Sequence, residues 1–342
     1  MHILMISDAW HPQTNGVVRT LEKVISGLEA RGHGVSMITP EHFATMPLPT
    51  YPEIRLSLAG KRMLMRQIRE LAPDRIHLVT EGPLGLAARR ACSDMGVAFT
   101  TSFHTKLPEY LRARVPVPTS VSYAMLRWFH NGGRAVLAPT QSICADLAER
   151  GFSNVVQWTR GVDLDLYHPR PGVGFPQPVG GAGPYFLYVG RVAVEKNICA
   201  FLDCELPGQK IVVGDGPQLV ELKALYPQVH FLGRLVGEDL ARAYAASDVF
   251  VFPSKTDTFG IVMLEAMASG LPVAAYPVAG PLDVVGDSNA GVLHDDLQKA
   301  CRMALDVPQH RAIEHASGFT WDSCVDVFED VVCGVEPNQL AA

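Results

Sequence analysis

The 342-residue sequence has no C-x-x-C pair, and its seven cysteines (Cys92, Cys144, Cys199, Cys204, Cys301, Cys324 and Cys333) are scattered and odd in number. Neither a disulfide framework nor a zinc site is suggested, and a reducing cytoplasm fits best. No stretch approaches the roughly 20 apolar residues that a spanning helix needs. The start, Met1 to Asp8, is too short for a signal-peptide core and lacks a basic beginning. A soluble protein is expected, or one that rests on a membrane surface. Positive charge is not in excess either. Twenty-nine Lys and Arg against 35 Asp and Glu leave a net charge of −6, which argues against a general nucleic-acid binder. A dinucleotide fingerprint is also missing. Gly214-Asp215-Gly216-Pro217 begins one, but Leu219 stands where the third glycine belongs, so a nicotinamide-dependent dehydrogenase loses its main support.

What is present points to two bodies. The chain is about twice the usual length of one domain, and 48% hydrophobic against 19% charged residues leaves ample core. Residues 1–168 carry 18 basic and 14 acidic side chains, whereas residues 169–342 carry 11 and 21. Between the halves, ten of the sixteen residues 169–184 are Gly or Pro, which reads as an interdomain linker. Strands are expected at His2–Ile6, Val35–Ile38, Arg75–Val79, Val97–Thr101 and Ala135–Ala138, the last closing the first series. A second series runs Tyr185–Val189, Lys210–Val213, Val229–Leu232, Val249–Phe252 and Pro272–Ala275. Continuous apolar strands alternating with helices imply parallel sheets covered on both faces. The fold class is therefore α/β, with two Rossmann-like, doubly wound domains facing across a ligand cleft: residues 1–168 and 185–323.

In open α/β sheets, ligands bind where strands end, so the loops after strands come first. Asn15-Gly16 opens a helix with bare backbone, suited to phosphate or sugar oxygens or to an ordinary turn. Arg191 and Lys196, released by Gly190, can converge on a diphosphate, although an isolated pair of this kind is more often a solvated basic loop. The strongest block runs from Phe252 to Val273. Asp257 and Glu265, eight positions apart, straddle a helix start. The amides of Phe259, Gly260 and Ile261 would offer an anion site there. A Glu facing inward needs hydroxyl or cationic partners, and a ribose diol is one.

Taken together these blocks resemble family 4 of the retaining glycosyltransferases, which have the GT-B fold. The resemblance rests on the acid-x7-acid block Asp257–Glu265, with Asp in place of the usual first Glu. Asn15-Gly16, Phe103-His104-Thr105, Thr159-Arg160-Gly161, Gly190-Arg191 to Lys196-Asn197, and Gly214 to Pro217 occur in the expected order. It covers residues 1–325 and is nearest in kind to GDP-mannose-dependent α-mannosyltransferases and sulfolipid-synthase-like enzymes. It implies that Arg191 and Lys196 bind the donor diphosphate, that Glu265 binds the ribose, and that Asp257 meets hydroxyls of the transferred hexose with Thr258, Phe259 and Gly260. Gly16 would approach the diphosphate, and His104 would line the sugar pocket, although a lone His is more often structural. His104, Arg191, Lys196 and Asp257 are the expected catalytic set. A terminal helix, 324–342, would rejoin the first domain, with closure by hinge motion at the linker.

Two cations and a helix N-terminus can stabilise a departing diphosphate, so no metal or other cofactor is expected. Asp163-Leu-Asp165 has the spelling of a metal motif but reads as structural. The expected partners are a nucleotide-sugar donor and a lipid or glycan acceptor, and no nucleic acid. An anionic membrane surface is a further candidate, because 61–71 can form a helix with Arg62, Arg66 and Arg69 on one side and Leu64, Ile68 and Leu71 on another. Arg112 and Arg114 add charge farther along the sequence. The ordinary reading of that helix is packing on the sheet. The cytoplasm, extending to the inner face of the membrane, is the expected location. A nucleotide-sugar epimerase of the same fold, a UDP-sugar-dependent glycolipid synthase and a non-catalytic sugar-nucleotide binder stand as alternatives.

Overall fold

The structure is a computed structural model that describes residues 1–13, 15–48, 51–112 and 118–334, without the side chains of 48, 51–54 and 110–112. Arg114, the Arg112 side chain and the end of the expected helix 324–342 lie outside the described residues. The chain divides into two compact units: Met1–Arg160 with Trp321–Ala342, and Gly161–Thr320.

Unit 1 is built on β1 (His2–Ile6), β2 (Gly34–Ile38), the antiparallel hairpin β3 (Thr45–Leu48) and β4 (Tyr51–Ser57), then β5 (Arg75–Leu78), β6 (Thr100–Ser102), β7 (Val136–Ala138) and β8 (Val155–Gln157). Its main sheet is parallel, in the order β2-β1-β5-β6-β7-β8. Side chains alternate across a strand, and β1 uses both faces. Leu4 and Ile6 pack with Leu64, Ile68, Leu84 and Ala88 on one side. Ile3 and Met5 pack with Leu21, Val24, Leu28 and Phe328 on the other. Phe328 belongs to the helix Trp321–Cys333, so the end of the chain completes this core. Arg31 pairs with both Asp326 and Glu329 at 2.6 Å, but such partly exposed pairs are worth little. Burial of Phe328, at about 1.5–3 kcal/mol, does more to hold that helix.

Unit 2 is built on β9 (Tyr185–Val189), β10 (Gln209–Val213), β11 (His230–Gly233), β12 (Val249–Phe252), β13 (Val273–Ala275) and β14 (Gly291–Leu293). All are parallel, in the order β11-β10-β9-β12-β13-β14. Phe186 and Tyr188 face one apolar cluster, Leu187 and Val189 the other. Strand order reverses between β1 and β5 in unit 1 and between β9 and β12 in unit 2. These are the switch points where open α/β sheets bind ligands.

Three expectations need correction. The division falls at Arg160/Gly161 rather than at residue 168. Segment 169–184 is not a free linker, because Phe175 and Val179 pack on the core of unit 2 and Gln177 Nε2 donates to the Leu232 carbonyl at 3.0 Å. Its Gly and Pro content excludes regular structure without excluding packing. Ala135–Ala138 does not close the first series, since β8 pairs outside β7. The charge division also shrinks: with the acidic terminal helix restored to unit 1, that unit carries 18 basic and 17 acidic residues, against 11 and 18 in unit 2.

Candidate active site

At the switch point of unit 2, the loop after β9 is tied to the loop after β10 through backbone and to the loop after β12 through side chains. Gly214 lies so close to the first loop that a Cβ there would sit 1.8 Å from the Gly190 carbonyl oxygen. Val192 N–H donates to Asp215 O at 2.9 Å, and Gln218 N–H donates to Val192 O at 3.1 Å. Past a single turn at Val194–Lys196, Asn197 takes a left-handed conformation, and its side-chain amide donates to Pro253 O at 3.0 Å. The Thr256 hydroxyl donates to Glu195 O at 3.3 Å.

These ties bring Lys196 Nζ to 2.5 Å from Asp257 Oδ1, across 61 residues of sequence. Both side chains keep some exposure, 23% and 17%, so the pair stays within reach of a ligand. Arg191 lies on the same loop as Lys196 and is partly exposed. Thr258 and Phe259 are buried. Gly260 has φ of +88°, and a Cβ there would meet Met263 and Phe252 at 2.9 Å, so both backbone and space require glycine. The helix that follows is Ile261–Ala268, with every residue from Met263 onward buried rather than a single stripe. Met263 N–H in its first turn donates to the Gly260 carbonyl at 2.9 Å, and the N–H groups ahead of it lie at the helix start, where no earlier turn supplies acceptors. Glu265, 3% exposed, lies on this helix and accepts from the Tyr244 hydroxyl at 2.9 Å. Tyr244 thus supplies one hydroxyl partner for the buried carboxylate from within the protein, beside the ribose diol expected from the sequence.

Unit 1 contributes differently. Asn15 caps the helix Gly16–Ala30, its side-chain oxygen accepting from Val17 and Val18 N–H, each at 3.0 Å. Gly16 is therefore the first helical residue, as an ordinary βα turn requires. His104 follows β6. Arg160 Nη2 lies 3.3 Å from His104 Nδ1, and the two are 56 residues apart. Burial, then the charge of Arg160, then His77 and His130 hold His104 well below the usual histidine range. Arg160 is itself buried and anchored by the carbonyls of Trp158 at 2.5 Å and Thr159 at 3.1 Å. Its guanidinium lies 4.0 Å from the Trp158 ring centre.

Several residues at the unit 1 switch point carried no readable signal. Asp8 accepts from Leu84 N–H at 2.8 Å and Gly85 N–H at 3.0 Å, capping the helix Pro83–Met95, and burial raises its pKa. His130 Nε2 meets Glu81 Oε1 at 3.0 Å. His77 bridges Thr100 and Ser102 at 2.8 and 2.9 Å, and burial followed by the charge of His130 lowers its pKa to about 3. Only tertiary packing brings these groups together. Asp163 accepts from Leu166 N–H at 3.2 Å, a turn-capping role consistent with its structural reading. Among the described residues, no group of three or more His, Cys, Asp or Glu is placed to hold a metal ion. No described helix is long and apolar enough to cross a membrane.

Comparison with known proteins places this geometry. Residues 14–166 match the model of Glycosyltransferase Family 4, and residues 183–306 match that of Glycosyl transferases group 1. A GDP-mannose-dependent alpha-mannosyltransferase of Mycolicibacterium smegmatis is 30% identical over 331 residues, covering 86% of this chain and 84% of the relative. The sulfoquinovosyl transferase SQD2 of Arabidopsis thaliana is 31% identical over 84% of this chain and 62% of its own length. Among solved structures, the sucrose-phosphate synthase of Thermosynechococcus elongatus superposes with a TM-score of 0.75 at 20% identity, over 96% of this chain and 98% of that one. That likeness speaks to the fold, and the two parallel-sheet units are those of a GT-B protein. The chain belongs to family 4 of the glycosyltransferases and is a hexosyltransferase, transferring sugar from a nucleotide sugar.

Proposed function

We propose that the enzyme moves a hexose, with GDP-mannose the favoured donor, to a hydroxyl of a lipid or glycan with α-configuration retained. The observation that carries this reading is the meeting of Lys196 and Asp257 at the switch point of unit 2. A sugar nucleotide brings its own leaving group, so catalysis is mainly stabilisation of charge growing on the diphosphate. Arg191 supplies a planar fork and Lys196 a mobile point charge, and the N-terminus of helix Ile261–Ala268 adds its dipole. None of this requires a metal ion.

In this reading, Lys196 turns from Asp257 to the diphosphate when donor binds, and Asp257 then accepts hydrogen bonds from hexose hydroxyls. Thr258, Phe259 and Gly260 shape that pocket, Glu265 reaches the ribose, Gly16 is assigned to the diphosphate and His104 to the hexose. The bond from the anomeric carbon to the phosphate oxygen breaks through an oxocarbenium-like state. The acceptor oxygen adds on the same face, and its proton passes to the departing phosphate oxygen. The mannosyltransferase relative supports the GDP-mannose assignment. The sulfoquinovosyl transferase relative favours a second reading, a UDP-sugar-dependent glycolipid synthase.

Surface chemistry supports a lipid-borne acceptor and a cytoplasmic enzyme at the inner face of the membrane. Helix Lys61–Leu71 buries Leu64 and Ile68 and turns Lys61, Arg62, Arg66 and Arg69 outward. Its apolar stripe is occupied by the core, so the outward cations would meet anionic lipid. Helix Thr119–His130 exposes Val121, Met125 and Trp128, with Arg89 stacked 3.8 Å from the Trp128 ring centre. Purified enzyme with vesicles containing candidate acceptors, given GDP-mannose or UDP-glucose, tests the reading. An α-linked mannolipid is the expected product. Transfer from UDP-glucose alone would establish the second reading, and free or isomerised sugar without acceptor would point to an epimerase.

A further inference from the structure

We propose that Arg160 is a positioning residue that fixes the tautomer of His104, with its proton on Nε2, so that His104 is a hydrogen-bond donor and not the general base. The argument begins with what a guanidinium can do: all its nitrogens donate and none accepts. Arg160 Nη2 at 3.3 Å from His104 Nδ1 therefore makes Nδ1 the acceptor. A neutral imidazole carries one N–H, so the proton sits on Nε2.

Arg160 is held in the orientation this requires. Two carbonyls, of Trp158 and Thr159, take hydrogen bonds from Nη1 and leave Nη2 for the histidine. The indole of Trp158 lies beneath the guanidinium and stands edge-on to the His104 ring, with centroids 6.0 Å apart. Trp158 is in turn anchored by its Nε1–H, which donates to Cys324 O at 2.9 Å. Burial lowers the Arg160 pKa only to about 10, so the cation persists at neutral pH. The other titratable groups acting on the ring, His77 and His130, add no negative charge that would favour a cationic His104.

A histidine already protonated on Nε2, with Nδ1 blocked by a cation, cannot take the proton of an acceptor hydroxyl. It can donate to an oxygen of the hexose. The inference rests on the assignment of His104 to the sugar site in the proposed function. It deepens that assignment by leaving the departing phosphate as the proton's destination.

The test is NMR of the full-length enzyme labelled with ¹⁵N-histidine, read by long-range proton–nitrogen correlation, with the His104 signals assigned by their loss in His104→Gln. The expected result is one neutral Nε2–H tautomer from pH 8 to pH 5 (about 1.5 units below the ordinary histidine pKa). In Arg160→Met the ring is expected to populate both tautomers or to titrate, and Arg160→Lys should restore the single tautomer in part. An Nδ1–H tautomer, or titration near the ordinary value in the unmodified enzyme, would overturn the proposal. So would an unchanged spectrum in Arg160→Met. If that variant fails to fold, the unmodified spectrum alone still decides whether Nδ1 is the acceptor. The spectrum is taken without donor, so failure of GDP-mannose as substrate would leave this result standing.

Discussion

The two units share one architecture and load their switch points in opposite ways. In unit 1 the polar groups at and behind the strand ends satisfy one another. Asp8 caps a helix, His130 meets Glu81, His77 sits between two hydroxyls, and Arg160 holds His104. In unit 2 the switch-point strands β9 and β12 carry no charged residue, and Lys196 and Asp257 lie in the loops that follow them, where they keep partial exposure. A pre-satisfied network makes a rigid wall that orients, because each buried partner would be costly to leave unpaired. A partly exposed ion pair can exchange partners at small cost. Under the proposed function, positioning falls to unit 1 and charge stabilisation to unit 2.

The largest effect that could break this comparison lies in unit 2. Lys196→Ala or Arg191→Ala is expected to lower kcat by about 100-fold or more, as loss of one preorganised charge-stabilising donor does. Circular dichroism and the unfolding midpoint should stay close to those of the unmodified enzyme, because both residues lie in surface loops. Full activity in either variant would remove the diphosphate assignment.

The second effect should be confined to unit 1 and appear as a pH dependence of stability. The folded pKa of His77 is about 3 and that of His104 is also depressed, whereas both titrate near 6.5 when unfolded. The unfolded chain therefore binds more protons below pH 6.5. Stability is fully present above that pH and falls as pH drops toward the folded values. The loss should be about 1.4 kcal/mol per histidine for each pH unit below 6.5. Urea unfolding at pH 7.5, 6.0 and 5.0 measures it, and His77→Asn should flatten the slope by one histidine's share. An unchanged midpoint across that range would contradict the neutral network.

Smaller effects sharpen the picture of the unit 2 helix. Gly260→Ala is expected to cost about 1–3 kcal/mol, since it places a side chain at φ of +88°. Tyr244→Phe should cost about 1–3 kcal/mol by leaving Glu265 short of a buried partner. Donor KM separates the two roles of that carboxylate. An unchanged KM in Glu265→Gln would make it a core residue only.

Much of the fold was legible in the sequence because its central strands are continuous apolar runs. Tyr185–Val189 and Val249–Phe252 match β9 and β12 residue for residue. Of the edge strands, β2 and β11 are legible, whereas β8 and β14 are not, because each is three residues long and not fully buried, which leaves no run to read. Segment 169–184 was misread because composition reports the absence of helix and strand and is silent on Phe175 and Val179 finding a core. In the candidate site, Asp257, Gly260 and Glu265 share one local pattern and could be read together. Arg160 and His104 share none, and their relation follows only from how β6 and the turn after β8 are placed. Glu265 was legible as a buried acid, but its partner Tyr244, on another helix, was not.

The central claim is that the Lys196–Asp257 pair marks the diphosphate site, and calorimetric titration of GDP into the unmodified enzyme and Lys196→Ala tests it most directly. The account predicts measurable binding to the unmodified enzyme and a Kd raised by about 10-fold or more in the variant, the equivalent of roughly 1.4 kcal/mol. Equal Kd values for the two proteins would contradict it.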